Sequence, residues 1–455
     1  MTQSVRRYVG RLTDDPSDQD IFERLFARLG LGLAAIESAK PGDVFSFEAD
    51  AGLVRDLARD PEGRTLLYRR FYEAGDSRNE HRISLDPRLA PTEWADHANL
   101  AFPSSASHRT AEALIGADAL RAFAQGGARH VNVVIADGEV DPAYLAPHLA
   151  APGSMTQIPV APPPPSGGRL GAPNRRHANL MARTVLSLAP HARIVSLPIL
   201  PDRIDDVERF ANRVLPALAK LRTRLGAAPH GGPDAAWVVV CAWGLVSREY
   251  ETGVLNYSDE RGHLLSKAFR DLVSENVDVV FSAGNNGLFA PDYRAGVYDR
   301  GPGGSIFGAN GLPEVLTVGA VTPTGDWVGA SSQGPEPAGL RGPDHPAPRK
   351  PDICAPSWFR FADDAHAIVT GTSGACAVAA GVVAALRRVV GPGDVPPAEL
   401  IAHLRAAAAP RGHRGGDDRQ APASLRQGNG VVDCRSLVER LAAQPTDGSA
   451  TRVES

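Results

Sequence analysis

The chain has 455 residues, 43% of them hydrophobic, which is enough material for one large core and one small one. Its 48 Lys and Arg against 52 Asp and Glu leave a net charge of -4, so nothing in the balance points to nucleic acid or an anionic membrane surface as a partner. No stretch is long and uncharged enough to span a bilayer, and the opening MTQSVRRYVGRLTDDPSDQD lacks an apolar export signal; a cytoplasmic location is expected.

The first elements make a small α+β unit. RRYVGRL (6–12) reads as a strand, and Ser17 with Asp20 forms a capping box for a helix over 18–29, where Ile21, Leu25 and Leu29 recur at i, i+4, i+8. The turn Lys40-Pro41-Gly42-Asp43 leads into a strand at 44–47. A helix at 51–59 and a strand near 65–71 follow. With a weak second strand this is βαββαβ, the split-βαβ ferredoxin-like order. A separate small binding domain is the plainer reading of the same pattern. The expected divisions are 1–75 for this unit, 76–110 for a polar, proline-punctuated linker, 111–441 for a large α/β domain and 442–455 for a disordered tail.

The large domain reads as alternating buried strands and helices. VNVVIAD (131–137) is a buried parallel strand with Asp137 at its carboxyl end, where open α/β sheets place their chemistry, although Asp137 reads equally as a turn residue before Gly138. His177 stands at the start of an apolar helix, followed by a buried strand at 193–197. VDVVFSAGNNG (277–287) is another strand whose glycine-rich turn projects Asn285 at the same sheet edge; Asn there also suits the turn itself. Finally GTSGACAVAAGVVAAL (371–386) puts Ser373 at the head of a helix with no charge before Arg387, which must be closely packed on all sides. A serine at a helix start is more often a cap than a nucleophile. Asp, His, Asn and Ser, in that order and each at the end of a strand or the start of a helix, form a constellation whose joint chance occurrence is low.

From about Leu120 to Leu441 the chain resembles the subtilisin-like serine peptidases, the subtilases. GTSGACAVAAG is similar to the block around their nucleophile and SAGNNG to the segment that supplies their oxyanion-hole amide. KPDICAPS (350–357) and VLTVGAV (315–321) resemble the two strands before the serine, and QGNGVVDCRSLVERL the closing segment. The resemblance implies a three-layer α/β/α domain with a mostly parallel sheet. It implies a serine endopeptidase with Asp137, His177 and Ser373 as the triad and Asn285 in the oxyanion hole. A peptide or protein substrate would lie as an extended strand along CAWGLV (241–246), so that Cys241, Ala242, Trp243 and Gly244 on one side and Ala283 and Gly284 on the other would be substrate-binding residues. Trp243, where the family has a smaller residue, is expected to bring an indole to the pocket for the residue cut.

The same resemblance makes the N-terminal unit look like an inhibitor prodomain, so that the chain's own N-terminal domain is an intramolecular partner and a cut between Tyr72 and Thr110 is expected. Departures from the family pattern lie beside two triad positions, in Asp137-Gly138-Glu139 and His177-Ala178-Asn179, and in Ala377 for a proline. They suggest narrow specificity. They also keep two related readings in view, a peptide cyclase or leader-peptide maturase on the same fold and a peptide-binding pseudoprotease. Calcium often accompanies the family, yet no acidic loop maps onto a site for it; no cofactor and no metal site are expected. The four cysteines read as reduced core residues. The proline-rich IPVAPPPPSGG (158–168) and the glycine-rich 226–234 with His230 read as surface loops.

Overall fold

The computed structural model describes residues 5–11, 17–32, 44–50, 53 and 71–73 of the N-terminal part. It describes 106–443 except 152, 161–172, 202–203, 205–206, 228–231, 233, 246, 249–250, 252–255, 288–298, 342–349, 364–367 and 411–422. The expected linker, the proposed cut, the middle of the proline-rich loop, His230 and the C-terminal tail lie wholly or largely outside those residues.

At the N-terminus, β1 (Val5–Arg11) lies between β2 (Val44–Asp50) and β3 (Phe71–Glu73), antiparallel to both, with Arg11 opposite Val44 and Gly10 opposite Phe71. Of the strand expected over 65–71 only Phe71 lies among the described residues, at the start of β3, and β2 runs three residues further than 44–47. The helix α1 (Ser17–Leu29) buries Leu25, Phe26 and Leu29 on one face. A first strand with antiparallel neighbours on both sides is the arrangement of three of the four strands in a split-βαβ sheet. The weak second strand falls outside the described residues, as does nearly all of the second helix.

Seven parallel strands form the large domain: β4 (His130–Asp137), β5 (Met155–Gln157), β6 (Arg193–Pro198), β7 (Ala235–Cys241), β8 (Asp278–Ser282), β9 (Leu316–Val321) and β10 (Ile353–Pro356), in the spatial order β10-β9-β8-β7-β4-β6-β5. Their runs of Val, Ile and Ala are apolar throughout because both faces are covered. Alternation then sorts the side chains. Val133, Ile135, Val238 and Val280 face one core, while Val134, Ala136, Val239 and Phe281 face the other. The first core is closed by α2 (His108–Ile115), α3 (Ala117–Gln125), α4 (Pro173–Leu188), α7 (Gly371–Arg387), α8 (Pro397–Ala407) and α9 (Cys434–Ala442). The second is closed by α5 (Val207–Leu225) and α6 (Leu264–Ser274). A two-residue hairpin, β11 (Phe359–Arg360) and β12 (Ile368–Val369), leads into α7. This is an α/β/α sandwich of the subtilisin-like kind.

Chain order reverses at β4, whose neighbours are β6 on one side and β7 on the other. A parallel sheet opens a crevice at the carboxyl ends of its strands at such a switch point. Asp137 ends β4 and Cys241 ends β7, so both arrive there. The small residues of α7 have a steric reason: a Cβ on Gly381 would stand 3.0 Å from the Leu188 Cβ and 3.2 Å from the Val185 carbonyl of α4. The first residues of the proline-rich loop are core rather than surface, since Ile158 and Val160 are buried against the second core and the Ile158 amide continues the β5 pairing to the Ser196 carbonyl at 2.9 Å. All four cysteines are buried and unpaired.

Candidate active site

Asp137 is fully buried, and its two oxygens have separate tasks. Oδ1 accepts the Gly138 amide at 2.6 Å, and Oδ2 lies 2.8 Å from His177 Nδ1. The turn role and the histidine role, open alternatives from sequence, are therefore filled together. Nδ1 is the ring nitrogen turned to the carboxylate, the geometry in which it would donate to it. His177 sits one turn into α4, with its side chain 30% exposed, between an enclosed partner and the open crevice. The unusual neighbours are accommodated: Ala178 is buried, and Asn179 Oδ1 accepts the Asp141 amide at 2.8 Å, tying the segment after β4 to α4.

Ser373 is the third residue of α7, and Thr370 is the N-cap, without a side-chain capping bond. The Ser373 hydroxyl donates to no helix acceptor. It bonds the Ala242 carbonyl beyond the end of β7 at 2.8 Å, across the crevice, so it is not a cap. The Ser373 amide lies in the first turn, where helix N–H groups lack intrahelical partners, and the helix dipole favours negative charge there. One residue earlier, Thr372 holds Asn285. The Thr372 amide and hydroxyl reach Asn285 Oδ1 at 3.0 and 3.1 Å, and the Gly284 amide donates to the Thr372 hydroxyl at 3.1 Å. Because a backbone N–H can only donate, Oδ1 must face Thr372, and the Nδ2 donors face away from it. Gly371 lies directly against this amide with φ +66, and a Cβ there would stand 3.1 Å from Oδ1 and 3.2 Å from Nδ2. Thr372 was not singled out in the sequence. The signal for it was its place beside Ser373.

Of the residues expected to line a substrate, Ala242, Gly244 and Gly284 lie at the strand ends. Gly244 and Gly284 are half-exposed, and Ala242 presents its carbonyl to Ser373. Cys241 and Ala283 are enclosed: Cys241 pairs with Phe281 inside the sheet, and the Ala283 amide is bonded to the Val318 carbonyl at 2.9 Å. The Trp243 expectation is corrected. Its indole is in the second core, edge-on to Phe210 and Phe281 with centroids at 5.2 and 5.4 Å, and its Nε1 donates to the Ala136 carbonyl at 2.9 Å. The alternation of β7 explains this: Trp237, Val239, Cys241 and Trp243 all fall on the α5–α6 side. Asn310, another residue not anticipated, ties the two strand ends together by donating Nδ2 to the Trp243 carbonyl at 2.8 Å and the Ser282 carbonyl at 2.7 Å.

Two thiols approach this centre from below. Cys241 and Cys376 are both wholly buried, and burial first, then neighbours that include Asp137, push both thiols well above their ordinary values. Burial thus favours the protonated thiol at both positions. Among the described residues no group of three or more His, Cys, Asp or Glu is placed to hold a metal ion, and no helix is long and apolar enough to cross a membrane.

A family model described as the subtilase family matches residues 199–430, just over half of the chain, including Asn285 and Ser373. Solved structures with a similar fold include the prenylagaramide maturation protease PagA, with 18% identity over 72% of this chain and 98% of that one and a TM-score of 0.47. MycP1 with its N-terminal propeptide removed is similar at 18% identity, covering 72% and 96%, with a TM-score of 0.47. The PatG macrocyclase in complex with peptide is similar at 19% identity, covering 75% and 100%, with a TM-score of 0.48. No curated protein matches the chain.

Proposed function

The chain belongs to the subtilase family of serine proteases, and from that premise we propose that it is an endopeptidase of restricted specificity that uses Ser373, His177 and Asp137 as its triad. The observation that carries the proposal is the Asp137–His177 pair at 2.8 Å at the end of β4, beside β7, beyond whose end Ser373 bonds the Ala242 carbonyl.

Ser373 Oγ attacks the peptide carbonyl carbon while His177 Nε2 takes its proton, with the hydroxyl first leaving the Ala242 carbonyl. Asp137 holds the imidazole in the Nδ1–H tautomer and stabilises the imidazolium that forms. The oxyanion sits between the Ser373 amide and Asn285 Nδ2. The C–N bond then breaks, His177 returns its proton to the leaving amine, and water repeats the sequence on the acyl-enzyme. The acyl half of the peptide lies along 242–244. Asn310 ties the residues after β7 to the end of β8.

A fluorophosphonate probe tests the assignment. We expect one label, on Ser373, that is lost in a folded His177→Ala variant. Labelling unaffected by His177→Ala would remove His177 from the base role. An unlabelled Ser373 in folded protein would favour a pseudoprotease.

A further inference from the structure

Asn310 touches the segment along which the acyl half of a peptide would run. It is buried in a 3-10 turn, Gly308–Gly311, and its backbone is held on both sides: its amide donates to the Phe307 carbonyl at 3.1 Å, and its carbonyl accepts Thr317 Oγ1 at 2.6 Å. Thr317 is anchored in turn, since its amide donates to the buried Asp352 Oδ2 at 2.6 Å. The Asn310 side chain therefore projects from a fixed base.

That side chain meets two carbonyls. A carbonyl can only accept, so Nδ2 faces both of them, Trp243 at 2.8 Å and Ser282 at 2.7 Å. Oδ1 is buried with no donor among the described residues, so these two bonds are all that the amide makes. The Ser282 hydroxyl adds a second, longer donor to the Trp243 carbonyl at 3.2 Å. Two groups at the end of β8 thus hold one carbonyl beyond the end of β7.

Holding that carbonyl also aims the next amide. A trans peptide unit is planar, with its C=O and the following N–H pointing in opposite directions. With the Trp243 carbonyl turned to the β8 side, the Gly244 N–H points to the other side of β7, where β4 ends in Asp137. Ala242 presents its carbonyl to Ser373 there, one step earlier along the same pleat. Gly244 is half-exposed, and neither its amide nor its carbonyl has a hydrogen-bond partner among the described residues. The contact behind it is close: a Cβ on Gly244 would stand 3.1 Å from Asn310 Nδ2.

We propose that Asn310 is a positioning residue for cleavage, which acts through the Trp243 carbonyl to aim the Gly244 amide at the substrate backbone. The proposal rests on the peptidase reading. The residue before the scissile bond lies beside Ala242, because Ser373 attacks there. Paired strands advance together at about 3.3 Å per residue, so the residue two positions earlier in the peptide falls opposite Gly244. Asn310 should therefore matter for long acyl groups more than for short ones.

Two esters test this, both built on the residue before the bond in a peptide that wild type cuts. The N-acetyl residue ester reaches only Ala242, and the N-acetyl tripeptide ester reaches Gly244. Full-length wild type, Asn310→Ala and Ser282→Ala are compared by the ratio of kcat/KM for the tripeptide ester to that for the short one. Wild type is expected to favour the tripeptide ester. Asn310→Ala should cut that advantage about tenfold, and Ser282→Ala, which removes the longer donor, about threefold. A residue that only packed its turn would lower both esters alike. Should Asn310→Ala fail to fold, Ser282→Ala decides alone through the same ratio. An equal loss with the two esters, or an unchanged ratio in Ser282→Ala, overturns the proposal. Fluorophosphonate labelling separates the two readings. A wild type unlabelled at Ser373 sinks the peptidase reading and the positioning role with it, whereas labelled variants with an unchanged ratio sink the positioning role alone.

Discussion

The side-chain amide of Asn285 works in this arrangement only if its orientation is fixed, and Thr372 is what fixes it. Two donors from one residue converge on Oδ1, so a flipped amide would set N–H against N–H and leave a buried donor unpaired. Asn285→Ala is expected to lower kcat about 10²- to 10³-fold with little change in KM, since the donor acts on the oxyanion. Thr372→Val keeps the backbone bond and loses the hydroxyl, so a fall of about tenfold is expected, the worth of one hydrogen bond. In the double variant Thr372→Val should add almost nothing, because its effect passes through Asn285. Steady-state kinetics on any cleaved peptide measures all three; a full additive loss would detach Thr372 from Asn285. Single residues of the site were unequally legible. Ser373 and Asn285 stood in dense motifs, whereas Thr372, Asn310 and the Ala242 carbonyl act through contacts between distant segments, such as the 131 positions separating Ala242 from Ser373.

At the scale of elements, α7 is anchored by a buried charge. Its sequence shows no charge before Arg387, which suggests that the helix leaves the core at that residue. Arg387 instead stays fully buried, with Nε and Nη2 on the Asp278 carboxylate at 2.6 and 2.7 Å and Nη1 on the Gly391 and Val395 carbonyls. The pair joins the C-terminus of the helix that bears Ser373 to the first residue of β8, the strand that delivers Asn285. Asp278→Ala strands a buried guanidinium and should cost about 3 to 5 kcal/mol, while Asp278→Leu with Arg387→Met should recover most of that loss. Urea unfolding curves measure both, and an Asp278→Ala variant as stable as wild type would contradict this account. A comparable cluster holds the segment before the hairpin. Lys350 and Asp352 are fully buried at 2.7 Å, with Asp352 also receiving the Thr317 amide at 2.6 Å and the Arg405 Nε at 2.9 Å. The Lys-Pro-Asp motif read from sequence therefore fastens β10 to β9 and α8, and its residues serve the sheet rather than the crevice.

For the whole molecule, one sheet with a single reversal of strand order sets the Asp137–His177 pair at the end of β4 beside β7, beyond whose end Ser373 bonds the Ala242 carbonyl. For the N-terminal sheet we infer a separate unit that acts as an intramolecular inhibitor until the chain is cut between Tyr72 and Thr110. Purified wild type should then run shorter than Ser373→Ala on a denaturing gel, with the new N-terminus within that interval. Equal full-length bands would end this reading.

The order of buried strands and the packed helix behind Ser373 were determined by the sequence alone, because continuous apolar runs and small-residue stretches report burial locally. So was the family block around Asn285 and Ser373. Which role each polar group takes was decided only by the tertiary structure. Ser373 is excluded as a cap because its hydroxyl finds Ala242, Trp243 is turned into the second core by the alternation of β7, and Arg387 is drawn inside by Asp278. Hydrogen bonds and charge pairs depend on partners many residues away, and only the folded sheet sets those distances.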